Sequence, residues 1–71
     1  MANLQVRKKN IFNWTHLRHL ESMEWIKRKD YALQSIKQLK WNEQKGCIKI
    51  YFKNGEWYHY YPSYTWDRGG I

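Results

Sequence analysis

This 71-residue chain predicts an α+β fold: a short N-terminal helix followed by a three- to four-stranded antiparallel β-meander. Three observations lead there. Apolar residues recur in steps of three from Ile11 to Met23, which suits a helix better than a strand. Cys47 to Lys53 alternates, with Ile48, Ile50 and Phe52 on one side and Cys47, Lys49, Tyr51 and Lys53 on the other. Asn54-Gly55 separates that run from a second aromatic one, Trp57 to Tyr61, and Asn-Gly in that setting is a strong hairpin signal.

Residues 1–10 are polar and aperiodic and carry Arg7, Lys8 and Lys9, so they read as a flexible basic arm. A single small domain is expected over 11–62. Its helix is predicted over about 13–22, capped by Asn13 or Thr15, whose side-chain oxygen can accept an orphan amide proton. Ile11, Trp14, Leu17, Leu20 and Met23 form the expected core stripe, with Arg18 and His19 pointing away from it. Met23 to Lys29 fits neither period and either extends the helix or forms a first strand, and Asp30 offers a turn or cap.

Strands are predicted over about 35–41, 47–53 and 57–61. Leu39 and Trp41 alternate, while Ile36 is out of step by one, so a bulge is expected near Gln38. Asn42 to Gly46 reads as a turn. Pro62 ends the third strand, because proline donates nothing to a ladder. Residues 63–71 read as a loose tail from which Tyr64 and Trp66 can pack back, with Gly69-Gly70 as a flexible end.

The hairpin admits two registers. A two-residue turn sets Phe52 opposite Trp57. A three-residue loop with a glycine bulge sets Phe52 opposite Glu56, and the one-residue slip reverses every side chain. The bulged register is preferred, because it gathers Ile48, Ile50, Phe52, Tyr58 and Tyr60 into one core. The other face then carries Lys49, Tyr51, Lys53, Trp57, His59 and Tyr61, unless the helix covers it as a second core layer.

From Met23 to Pro62 the chain resembles the KTSC domain, a small module found C-terminal to some lysyl-tRNA synthetases and as free-standing bacterial and phage proteins. The likeness lies in Ser35-Ile36, in Leu39 and Trp41, in the run from Ile48 to Gly55 that ends Phe52-Lys53-Asn54-Gly55, and in Tyr58-His59-Tyr60. It implies the meander, an inward Tyr58 and Tyr60, and a suggested RNA-binding role. The family continues into a Val-Pro segment and a helix where this chain has Pro62 and a short polar-aromatic tail. A helix near Trp14 to Leu20 is expected to fill that place.

Thirteen Lys and Arg against six Asp and Glu give a formal charge of +7, which favours polyanionic partners. Five Trp, six Tyr and two Phe exceed what so small a core can enclose, so some should lie at a contact surface. The leading reading is a non-catalytic module that binds RNA or DNA with little sequence preference. Lys27, Arg28, Lys29, Lys49 and Lys53 are its candidate phosphate contacts, Tyr51 and Trp57 its stacking platforms, and His59 lies on the same face.

The alternative is a phage-type inhibitor or accessory module docking its aromatic face on an acidic host protein. A third reading is a homodimer that buries that face on its twin. Cys47 is the single cysteine and reads as a small apolar strand residue, which suits a reducing cytoplasm. His16, His19, Cys47 and His59 match no zinc-finger spacing, so no metal or other cofactor is expected. Glu21 and Glu24 are the one acidic pair at helical spacing, and no phosphate loop is present, so no catalytic residues are assigned. No apolar run reaches the roughly 20 residues of a membrane span.

Overall fold

The Asn-Gly turn sets the geometry of the sheet. In the computed structural model, which describes residues 4–69, strand β2 (Cys47–Phe52) pairs antiparallel with β3 (Trp57–Tyr60). Tyr51 faces Trp57, and Ile50 faces Tyr58. The Phe52 amide donates to the Glu56 carbonyl at 2.9 Å, closing a loop of Lys53, Asn54 and Gly55. Gly55 has φ 92°, a left-handed conformation that costs glycine nothing. The Asn54 side chain accepts the Glu56 amide proton at 2.9 Å. This is the bulged register.

Strand β1 (Ile36–Asn42) flanks β2, with a register shift between Ile36 and Gln38 where the sequence indicated a bulge. A short β4 (Trp66–Arg68) flanks β3, giving an antiparallel sheet of order β1-β2-β3-β4. Residues 66–68 are therefore sheet rather than loose tail. They are returned by the turn at Pro62, where the Tyr61 amide donates to the Thr65 carbonyl at 2.9 Å. Gly69 is likewise fixed, its amide donating to the Trp57 carbonyl at 2.9 Å.

Helix α1 spans Leu4–Glu21, well beyond the predicted 13–22. Residues 4–10 of the expected flexible arm are its first turns, and the rest of that arm lies outside the described residues. Gln5, Arg7, Lys8 and Lys9 are good helix formers, and Lys8 is held with its ammonium 4.9 Å from the Trp41 ring. Asn13 and Thr15 are consequently mid-helix residues, not caps.

The phase of α1 is also not the one expected. Ile11 is buried, but Trp14 and Leu17 are about half exposed, and Thr15, His16 and His19 point inward instead. Hydrogen bonding makes the two histidines tolerable there. His16 Nε2 donates to the Tyr31 carbonyl at 2.6 Å, and His19 Nδ1 pairs with the Tyr60 hydroxyl at 2.8 Å. A buried polar group with a partner escapes most of its desolvation cost.

The helix stops at Ser22, whose hydroxyl donates to the His19 carbonyl at 2.6 Å and competes with the helical ladder. Glu24 is extended, and the chain re-enters as 3-10 helices over Trp25–Tyr31 and Leu33–Ser35. Met23 to Lys29 therefore neither prolongs α1 nor forms a strand, and Asp30 sits inside the first 3-10 helix.

The core lies between α1 and one face of the sheet. Ile11, Ile48, Ile50, Phe52 and Tyr60 are buried together, with Phe12, Tyr31, Trp41, Tyr58 and Trp66 packed around them. His19 sits among rings, 4.5 Å from Tyr58 and 5.3 Å from Trp66 between centroids. Burial of these aromatics is the main favourable term for so short a chain.

Candidate nucleic-acid interface

Pairing fixes what the opposite face of the sheet carries. Gln38, Lys40 and Asn42 of β1 face Tyr51, Lys49 and Cys47 of β2. Lys49 and Tyr51 in turn face His59 and Trp57 of β3, and His59 faces Asp67 of β4. The helix packs on the other side, against Ile48, Ile50 and Phe52, so it does not cover this face.

Four rings run in one row across it. Tyr51 stacks on Trp57 at 5.7 Å, the Trp57 ring meets His59 edge-on at 5.1 Å, and His59 stacks on Tyr61 at 5.8 Å. The rings half bury one another, forming a ridge rather than four separate platforms. Gly69 closes the Trp57 end. A β-carbon at Gly69 would overlap the six-membered ring of Trp57, so only glycine permits this approach.

Positive charge lies along the ridge. Lys40 and Lys49 face each other across β1 and β2, an arrangement that repels and so favours an anion between or beside them. The Lys40 ammonium lies 5.7 Å from the Tyr51 ring centroid, and that of Lys49 lies 5.2 Å from the Trp57 ring. A shallow cavity of about 290 Å³ opens beside them, lined in part by Lys40, Asn42 and Lys49.

The other end of the ridge is anchored by Asp67. It accepts from Tyr61 at 2.6 Å and from His59 Nδ1 at 3.0 Å. The bond to Asp67 pushes the Tyr61 hydroxyl up to about 12, and the same bond holds the Asp67 carboxyl below its ordinary value. Asp67 fixes which His59 nitrogen carries the proton and holds the ring against Tyr61.

Of the residues expected to bind, Lys49, Tyr51, Trp57 and His59 share this face, and Lys53 is exposed in the loop just past β2. Lys27, Arg28 and Lys29 are not part of the ridge. They belong to the first 3-10 helix, where Arg28 and Lys29 line a cleft with Leu20 of α1. Their run of charge was conspicuous in sequence, but position in the fold separates them from the rings. Lys40 was missed as a site residue. It becomes visible once Asn42 is paired with Cys47 around the turn ending at Gly46, which sets Lys40 against Lys49.

Cys47 is buried and free. Among the described residues no three His, Cys, Asp or Glu side chains come together as metal ligands. His16 and His19 face the core, whereas Cys47 and His59 belong to strand positions of the opposite face. Among the described residues no helix is long and apolar enough to cross a membrane. Comparison with family models, with curated proteins and with solved structures finds no match to this chain.

Proposed function

We propose that the chain is a non-catalytic, cytoplasmic module that binds single-stranded nucleic acid on the open face of its sheet. The observation that carries this reading is the juxtaposition of Lys40 and Lys49 with the Tyr51-Trp57-His59-Tyr61 ridge on the face opposite α1. Phosphates supply most of the affinity, through Lys40, Lys49 and the nearby Lys53. Each of the first two lysines rests over a ring. A phosphate draws the ammonium away, and a base takes its place against the aromatic surface. Phosphate contacts and ring stacking read no base edge, so sequence preference is weak. The resemblance to the KTSC domain, for which RNA binding has been suggested, supports the same reading.

Fluorescence anisotropy with labelled single-stranded RNA and DNA across a salt series tests it. The logarithm of affinity should fall linearly with the logarithm of salt concentration, and losing Lys40 or Lys49 should each reduce the slope by about 0.7. Binding that ignores salt, or none at low salt, overturns the proposal. Capture of one stoichiometric acidic protein from nuclease-treated lysate, with no oligonucleotide binding, would instead support the protein-docking alternative.

A further inference from the structure

Where the open face meets the turn between β1 and β2, it holds a feature that the stacked rings do not account for. Lys40 and Lys49 are direct cross-strand partners there, and like charges so placed destabilise a sheet. Among the described residues neither ammonium is ion-paired, since the salt bridges join His59 to Asp67 and Arg68 to Glu56. The cavity of about 290 Å³ beside the two lysines is lined from the turn by Asn42, Glu43 and Gln44.

The turn itself orients Asn42. Its Oδ1 accepts the Lys45 amide proton at 3.1 Å, which leaves the Nδ2 protons with no hydrogen-bond acceptor among the described residues. The cavity therefore offers two ammonium groups that no carboxylate neutralises, together with an amide donor fixed by its own turn.

We propose, resting on the nucleic-acid reading of this face, that the cavity takes a terminal phosphate monoester of a single-stranded oligonucleotide. The module then prefers strand ends that carry a phosphate to ends that carry a hydroxyl. Charge favours an end over an internal linkage. A monoester carries roughly −1.5 to −2 at pH 7 and a bridging diester about −1, and two unpaired ammonium groups match the former. Size agrees. The cavity is no larger than the smallest of the roughly 300–1,000 Å³ pockets that enclose whole small-molecule ligands, so it suits a phosphate and part of its sugar.

Position agrees as well. β1 is an edge strand, so the cavity lies at a corner of the sheet. A strand running on past that corner would cross the turn, where the Glu43 carboxylate repels a further phosphate. In the other direction the rings are within a side chain's reach. The Lys40 ammonium lies 5.7 Å from the Tyr51 ring and that of Lys49 5.2 Å from the Trp57 ring, so the base next to a bound end can stack there.

Fluorescence anisotropy of the full chain with one single-stranded sequence, labelled internally, tests the proposal. Its three forms carry a 5′-phosphate, a 3′-phosphate, or hydroxyls at both ends. At least one phosphate form should bind about tenfold tighter than the hydroxyl form, the scale of a hydrogen bond to a charged group. Lys40→Ala should remove that preference while weakening the hydroxyl form less. Lys53→Ala, outside the cavity, should weaken all three forms alike and keep the preference. Both lysines are exposed, so circular dichroism should show the fold retained in each variant. A preference that survives Lys40→Ala, or is lost instead with Lys53→Ala, overturns the proposal. Equal affinity for the three forms with steep salt dependence also overturns it and leaves the nucleic-acid reading standing. No binding of any form overturns both.

Discussion

The two faces of the sheet bury aromatic rings by different means. On the covered face, Phe52, Tyr58 and Tyr60 pack beneath α1, and the helix fills the remaining space with histidines as well as apolar side chains. On the open face, no element among the described residues lies over Tyr51, Trp57, His59 and Tyr61, which shield one another. The covered face therefore carries the buried core and its buried histidines. The open face keeps its rings ordered while leaving charge and ring edges for a ligand. The same residue types serve both, and the strand alternation assigns each to its task.

The contrast breaks most sharply at Tyr60, which is fully buried and holds His19. Tyr60→Ala should cost about 3–5 kcal/mol in chemical denaturation, close to the whole stability of so small a domain. Trp57→Ala, across the sheet, should leave the chain folded and weaken oligonucleotide binding.

Acid should act next most strongly, first through the histidines of the covered face. Burial lowers His19 to about 4 from an ordinary value near 6.5, with the nearby His16 adding to the effect, and burial lowers His16 as well. Between those two values the unfolded chain binds more protons than the folded one. Stability is thus full above about pH 6.5 and is lost as pH falls toward 4, by about 2–3 kcal/mol for His19. Denaturant melts over this range should show it. His19→Gln, already destabilised at neutral pH, should lose most of the dependence, and a profile identical to that of the native chain would count against the assignment.

Thr15 sharpens the comparison in the opposite direction. Its hydroxyl is buried with no hydrogen-bond partner among the described residues. Thr15→Val keeps the shape and removes the unpaired group, so thermal denaturation should show a gain of about 1 kcal/mol. The smallest stability change belongs to the open face. Lys40→Ala relieves repulsion with Lys49 and should shift stability by no more than about 0.5 kcal/mol while weakening binding at low salt. A large loss of stability there would mean that the lysine pair is structural.

Much of the sheet was legible in the sequence because its signals are local. Alternation from Cys47 to Phe52, the Asn54-Gly55 turn and the misfit of Ile36 each involve residues within a few positions, and the strands begin and end within about a residue or two of where those signals put them. The face opposite the core followed from the same alternation, so most of the ridge was readable once the register was chosen. The phase of α1 was not. Steps of three through Trp14 and Leu17 pointed to one face, but the partners that turn His16 and His19 inward lie 15 and 41 residues away, at Tyr31 and Tyr60. The length of the helix escaped for the same reason, since Lys8 is held by Trp41 on β1. β4 escaped because three residues carry too little periodicity to be read.

By itself, then, the sequence determined the hairpin and which residues of each strand share a face, since backbone turn chemistry and two-residue alternation act over short stretches of chain, and it favoured the bulged register that the strand pairing then fixed. Tertiary structure alone decided which side the helix covers, which polar groups it buries, and that the Lys27-Arg28-Lys29 run stands apart from Lys40 and Lys49. Those outcomes depend on side chains distant in sequence finding hydrogen bonds and ring contacts that no local pattern encodes.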